Sequence, residues 1–412
     1  MRARNPLRRG VGIAVGTIVI LVVGLYGPAT LVGPLPEARA KVTAPSTAPK
    51  ASAPVLPKDG ASAIAVAPNK PAIAAAGVKD AVPLAGVTKL VTALVVLNAK
   101  PIAAKHDGAL IRMTAADVGF YSAHRAAGDV TVPVVLGETW SEKQMLQAMI
   151  LASSNNHADS LARWAFGNED AYLDAAKAWL SKNGLKTTAV ADASGISENS
   201  VGTAADAAHL AALAMHDPTI ADIIAHPVDT LAGGRVIENS TAFHPELGVT
   251  GISRSYTDAA GVCFLFAATV KVDDKPFTFT GAFLRIPDWD TLQSALTALI
   301  TDARASVHQI TLVKKGASFA TITSAWGDTA HAVADGAVTI TGWSSAKPRY
   351  AVRLKPVTAA SKGHTVGEVE LSGATAATVS LTLDRTLSDP GVGWRVSHPI
   401  PVISTFVKSL GG

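Results

Sequence analysis

A chain of 412 residues, 48% apolar and 17% charged, is long enough for two or three domains and too apolar to be disordered throughout. Its formal net charge of +4 is accounted for by Arg2, Arg4, Arg8 and Arg9, so the remainder is neutral and carries no electrostatic footprint for nucleic acid. A single cysteine, Cys263, excludes an internal disulfide, and the eleven histidines show no metal-ligand spacing.

The arginines make residues 1–9 a basic flank. Residues 10–33, GVGIAVGTIVILVVGLYGPATLVG, carry no charge and are long enough to cross a bilayer as a helix. Basic residues on the N-terminal side keep that end cytoplasmic and place the rest outside. Two forms fit. One is an uncleaved single-pass anchor in the cell membrane, favoured by the length of the apolar run. The other is a signal peptide cleaved after Ala38-Arg39-Ala40, giving a secreted product, favoured by the helix breaker Pro28. Residues 41–60, rich in Pro, Ala, Ser and Lys, read as an extended linker.

Residues 61–305 read as one α+β domain. Two strands, 61–68 and 72–78, flank a turn at Asn69-Lys70-Pro71. A helix starts at about residue 86; Leu90, Val91, Leu94, Val95 and Leu97 cover most of its circumference, so it is expected to be central. Ser141 and Gln144 form a capping box, and "SSNN" at 153–156 separates that helix from a shorter one ending near Ala165. Further helices fit 169–182, closed by Gly184, 204–216 behind Thr203, and 218–225 behind Asp217-Pro218. Strands over 259–272 and 277–285 precede a helix over 290–304. Residues 306–390 change texture to short alternating strands, a small all-β module, and 391–412 form a tail with weak helical character. Cys263, in the run GVCFLFAATV, reads as a small buried hydrophobe.

Lys89 stands out in the first helix, because a buried ammonium loses its hydration. Gly86 is three residues earlier, on the same helix face. Ser153-Ser154-Asn155 follows between two helices, and Val249-Thr250-Gly251 lies before the strand hairpin. In this order the three sites resemble the S-x-x-K, S-x-N and K-T-G set of serine D-Ala-D-Ala carboxypeptidases, the low-molecular-mass penicillin-binding proteins of peptidase family S11. The flanks KLVTALVVL, LGETWSEKQMLQAMILASSNNHADSLA and ADASGISENSVGTAADAAHLAALA are similar as well, which extends the resemblance over about residues 61–305. KGHTVGEVEL carries it, less strongly, to about 390.

The resemblance implies a β-lactamase/transpeptidase-like domain followed by a small all-β C-terminal domain. It implies no cofactor and no metal, with a peptidoglycan stem peptide as partner. It also implies roles. A serine at the first position attacks the D-Ala-D-Ala carbonyl, and the lysine one turn on takes its proton. A lysine in the third motif depresses the pKa of the first lysine and pairs with the substrate carboxylate. The serine of the second motif relays protons, and its asparagine orients the substrate amide.

This chain departs at both ends of that set. Gly86 has no hydroxyl, and Val249 has no charge, while Lys89, Ser153, Asn155, Thr250 and Gly251 match. The expectation is therefore an exported, catalytically degenerate family member. An active carboxypeptidase with a substitute nucleophile (Thr88 and Ser153 are the nearby hydroxyls) and a structural or partner-docking module remain as alternatives. The retained polar residues fit either a ligand-binding cleft or a buried hydrogen-bond network. His157, just past the second motif, is expected on a helix surface.

Overall fold

A computed structural model describes residues 6–43, 53–68, 72–343, 348–373 and 375–410. Arg2, Arg4, the middle of the expected linker and the expected turn at Asn69-Lys70-Pro71 lie outside the described residues. The chain divides into two compact units. One gathers residues 52–308 with 341–345; the other gathers 1–51, 309–340 and 346–412.

The N-terminal run is helical but segmented: helix α1 (Pro6–Leu21), a π-helical turn (Val22–Tyr26) and helix α2 (Gly27–Val32). Among the described residues no helix is long and apolar enough to cross a membrane. The expected uninterrupted span over 10–33 is corrected accordingly, with the π turn dividing it. A second correction concerns the linker. Strand β1 (Arg39–Val42) starts before residue 41 and takes the first two residues of the supposed spacer into a β-sheet.

In the larger unit, strands β2 (Ala61–Ala65) and β3 (Ala74–Gly77) pair as a hairpin. A short 3-10 turn at Ala85–Val87 leads into α3 (Thr88–Ala99), which is buried from Thr88 to Leu97. Helix α4 (Ala115–Ala127) was not foreseen, although Thr114 and Asp117 form a capping box at its start and Gly128 closes it in the left-handed region. Helices α5 (Glu142–Leu151), α6 (Asn155–Phe166), α7 (Glu169–Lys182), α8 (Ala204–His216) and α9 (Pro218–Ala225) follow, with the caps read from the sequence at Ser141, Thr203 and Asp217.

Strands β4 (Val249–Thr257), β5 (Gly261–Val272) and β6 (Lys275–Ile286) complete an antiparallel sheet in the order β4-β5-β6-β2-β3, and α10 (Trp289–Ser306) ends the unit. Alternation along β5 explains why both faces of the sheet are covered. Val262, Phe264, Phe266 and Val270 pack with Leu292, Leu296 and Leu299 of α10. Cys263, Leu265 and Ala267 face the opposite core, shared with α3 and α8. Cys263 is fully buried, and burial pushes its thiol up to about 11, which removes it from thiolate chemistry.

The smaller unit is built on strands β7 (His308–Val313), β8 (Ser318–Thr323), β9 (Thr329–Ala334), β10 (Val338–Gly342), β11 (Arg349–Leu354), β12 (Thr365–Ser372) and β13 (Ala377–Leu383), then helices α11 (Gly391–Ser397) and α12 (Pro399–Leu410). Its six-stranded sheet runs β1-β8-β9-β13-β12-β11. The N-terminal strand is thus an integral edge, with Ala40 opposite Ile322 and Val42 opposite Ala320. The Ala38 N–H donates to the Val357 carbonyl and the Thr43 N–H to the Phe319 carbonyl, both at 2.8 Å.

Candidate active site

One cleft in the larger unit, of about 380 Å³, is lined by Gly86, Lys89, Ser153, Asn155, Ser194, Arg254, Ser255 and Trp289, among others. Four of the seven expected site residues, Gly86, Lys89, Ser153 and Asn155, therefore line one cleft. Two non-glycine residues beside it hold left-handed backbone: Ala85 at φ 46° and Ser153 at φ 52°. Such conformations cost of order 1–3 kcal/mol each and persist only where packing imposes them.

The loop carrying Ser194 is fixed by Asp192. Its carboxylate accepts the N–H groups of Gly195 (3.0 Å), Ile196 (2.8 Å) and Ser197 (3.1 Å), and the hydroxyls of Ser194 and Ser200. Gly195 is required there: its φ is +82°, and a Cβ would collide with the Ala85 carbonyl. This loop gives Lys89 its partner. The ammonium donates to the Ser194 carbonyl at 2.9 Å rather than to Ser153 or Asn155. Burial brings Lys89 down to about 8, against the opposing pull of Asp192, Asp159 and Asp129. Asn155 is 3% exposed, and its Oδ1 has no hydrogen-bond partner among the described residues.

The third expected site is displaced along the strand. Val249 is packed in the apolar core on the α10 side, Thr250 is exposed, and Gly251 is buried where a Cβ would strike the Thr241 carbonyl. None of the three lines the cleft. The pairing of β4 with β5 shifts between Gly251 and Ser253, and the cleft is met instead by Arg254, Ser255, Tyr256 and Thr257. Counting back from the turn at Asp258–Ala260 would have located them; reading the three-residue pattern alone does not.

Two consequences follow. The strand does bring a cation to the cleft: Arg254 Nε donates to the Ser240 carbonyl at 2.8 Å, and the guanidinium lies 5.4 Å from the Trp289 ring and 5.7 Å from that of Phe243. And Ser255 faces Gly86, its Oγ accepting the Gly86 N–H at 3.1 Å. A Cβ added at Gly86 would stand 2.9 Å from Ser255 Cβ and 3.1 Å from its Oγ. The serine on the strand occupies the room that a side chain on the helix would need.

His157 is corrected too. It is fully buried, with Nδ1 2.8 Å from Ser154 Oγ and its ring 4.8 Å from that of Trp140. Burial pushes its imidazolium down to about 3, so it is a neutral core residue. Ser154, the middle residue of the second motif, also donates to Asn156 Oδ1 at 2.8 Å and serves this internal network.

An antiparallel sheet with a helical cluster, a lysine in the first turn of the central helix and a serine-asparagine turn across the cleft define the penicillin-binding type of α+β fold. The comparisons agree. The profile of the D-alanyl-D-alanine carboxypeptidase family matches residues 49–275, more than half of the chain, and the chain belongs to that family. A D-alanyl-D-alanine endopeptidase of Pseudomonas aeruginosa is 26% identical over 196 residues, a match spanning 45% of this chain and 58% of that relative. Penicillin binding protein 5 from Haemophilus influenzae has a TM-score of 0.59 at 18% identity, over 82% of this chain and 99% of that one. Penicillin binding protein 6B from Escherichia coli has a TM-score of 0.58 at 16% identity, over 82% and 99%. These two likenesses are likenesses of fold.

Proposed function

We propose that the chain is exported to the cell envelope and binds peptidoglycan stem peptides in this cleft, without the turnover that a helix-borne serine provides. The observation that carries this reading is the Gly86–Ser255 contact: the helix position has no hydroxyl, and the facing strand fills the space for one. Recognition elements remain. Asn155 lines the cleft with a buried Oδ1 that has no partner among the described residues, and Arg254 offers a guanidinium to a C-terminal carboxylate. Export is supported by the basic flank followed by the uncharged run 10–33, whose Val11, Ile13, Ile18 and Ile20 side chains are exposed.

The test is calorimetric titration of the full chain with a peptide ending in D-Ala-D-Ala, alongside an assay for released D-alanine. Binding without sustained release is expected. Catalytic release of D-alanine would overturn the degenerate reading, and absence of binding would overturn the stem-peptide reading. Recovery of the protein wholly in the cytoplasmic fraction would reject export.

A further inference from the structure

A second cavity, of about 610 Å³, lies beside the Asp192 loop, against α4, α6 and the start of α7. It shares Ser194 and Ile196 with the cleft and is otherwise lined by different residues, among them Phe120, His124, Asp159, Arg163 and Glu169. That size suits a small organic molecule. Most of its polar groups are already engaged. The two His124 nitrogens meet Asp129 Oδ2 and Asp159 Oδ2. The Arg163 guanidinium donates to buried Asp117 at 3.1 Å and 2.9 Å. Asp192 serves its own loop, and Asn168 Oδ1 accepts the Ala171 N–H as the cap of α7. Lys89 comes from the cleft side, where the Ser194 carbonyl takes its ammonium. What is left can only accept: Asp159 Oδ1 and the Glu169 carboxylate have no hydrogen-bond partner among the described residues. Partial burial, then the carboxylates of Asp159, Asp192 and Asp170, push the Glu169 carboxyl up, and no cation pulls it back.

We propose that this cavity binds a small organic cation, an amine on an apolar body, with its charged end on Glu169 and Asp159 and its body against Phe120, Ala162 and Ile196. The ligand class follows from what the cavity lacks. Asp117 cancels Arg163, and one imidazolium serves both Asp129 and Asp159, so Glu169 and Asp192 leave a surplus of negative charge. An ammonium brings positive charge and N–H donors together, which answers both deficits. A neutral alcohol brings a donor without the charge. A carboxylate brings neither and adds repulsion. The apolar wall favours a ligand with an aryl or alkyl body over a bare metal ion or ammonium, because covering that wall removes hydrocarbon from water. The proposal does not rest on the stem-peptide reading, since neither Glu169 nor Phe120 lines the cleft that reading uses.

The experiment is calorimetric titration of the full-length protein at pH 7 with three probes of one shape: 4-phenylbutylamine, 4-phenylbutanol and 4-phenylbutyrate. Saturable binding of one amine per chain is expected, with the alcohol weaker by about tenfold and the carboxylate not bound. Glu169→Gln keeps the shape and removes the charge. It is expected to weaken the amine by about tenfold and to leave the alcohol unchanged. Phe120→Ala is expected to weaken the amine and the alcohol by the same factor, because both carry the same body. Glu169 is exposed at the start of α7, so its replacement disturbs no core packing, and thermal melts check that both variants fold. The three-probe comparison on the wild type stands independently of them. No saturable amine binding, equal affinity for amine and alcohol, or undiminished amine binding in Glu169→Gln or in folded Phe120→Ala overturns the proposal. The titration with a D-Ala-D-Ala peptide is separate: its failure rejects only the stem-peptide reading, and failure of the amine series rejects only this one.

Discussion

Gly86→Ser forces a side chain into the space that Ser255 fills. The new Cβ would sit 2.9 Å from Ser255 Cβ, where ordinary contact begins at 3.4 Å. Overpacking of this kind costs about 1–3 kcal/mol. Replacing a glycine whose φ other residues tolerate returns about 0.4–1 kcal/mol by restricting the unfolded chain. The single variant is therefore expected to be about 1–2 kcal/mol less stable than the wild type. Ser255→Gly removes the obstruction but also the acceptor of the Gly86 N–H, a loss of about 0.5–1.5 kcal/mol. In the double variant the overlap is gone and the gain at residue 86 is kept. It should lie above the sum of the singles by about 1–3 kcal/mol, the signature of two residues sharing one space. Urea unfolding of the four proteins measures that coupling. The same four proteins, assayed for D-alanine release, should show activity first in the double variant, where a helix hydroxyl stands one turn from Lys89. Additive stabilities, or a Gly86→Ser single as stable as the wild type, would refute the argument from space.

Arg254→Ala should weaken a carboxylate-terminated peptide by about ten- to a hundredfold and leave the corresponding peptide amide unaffected, as read by calorimetry, since a charged hydrogen bond contributes roughly 1.5–3 kcal/mol. His124 is held between Asp159 (2.7 Å) and Asp129 (2.8 Å), and its hydrogen bonds to them raise it from 6.5 to about 8. A raised folded-state value means stabilisation that is full below about pH 6.5 and lost as pH rises through about 8; a pH series of melting temperatures should show that decline, and His124→Gln should abolish it. Lys41→Pro should destabilise the smaller unit, since Lys41 stands opposite Thr321, two residues from the Thr43–Phe319 hydrogen bond, and proline cannot donate to the β1–β8 ladder; unchanged stability would show the N-terminal strand to be dispensable.

What was legible in the sequence was mostly local. The capping box at Ser141 and Gln144, the Asp217-Pro218 start and the Thr203 cap each fix a helix end through contacts within a few residues, and those ends were placed correctly. The same kind of signal at Thr114 and Asp117 was available and went unread. The third motif failed for a different reason. Whether residue 250 or residue 254 faces a cleft depends on strand register, and a bulge between Gly251 and Ser253 resets it through pairing with β5. Ser255 was invisible for the same cause: its meaning comes from Gly86, far away in sequence. β1 was hidden because composition says "spacer" for any short polar stretch, and only its partner strand makes it a strand.

That partner is synthesised long after it. Residues 39–42 leave the ribosome early, and the strand they pair with follows only after residues 52–308 of the larger unit have been made. At about 5–20 residues per second, that delay is on the order of tens of seconds. Throughout it the N-terminal strand has an unsatisfied edge, while the intervening residues already hold all strands of the larger unit's sheet. Arg39 and Lys41 then matter for what they prevent. Two like charges on a four-residue strand discourage premature pairing with a neighbouring nascent chain until β8 arrives to claim it.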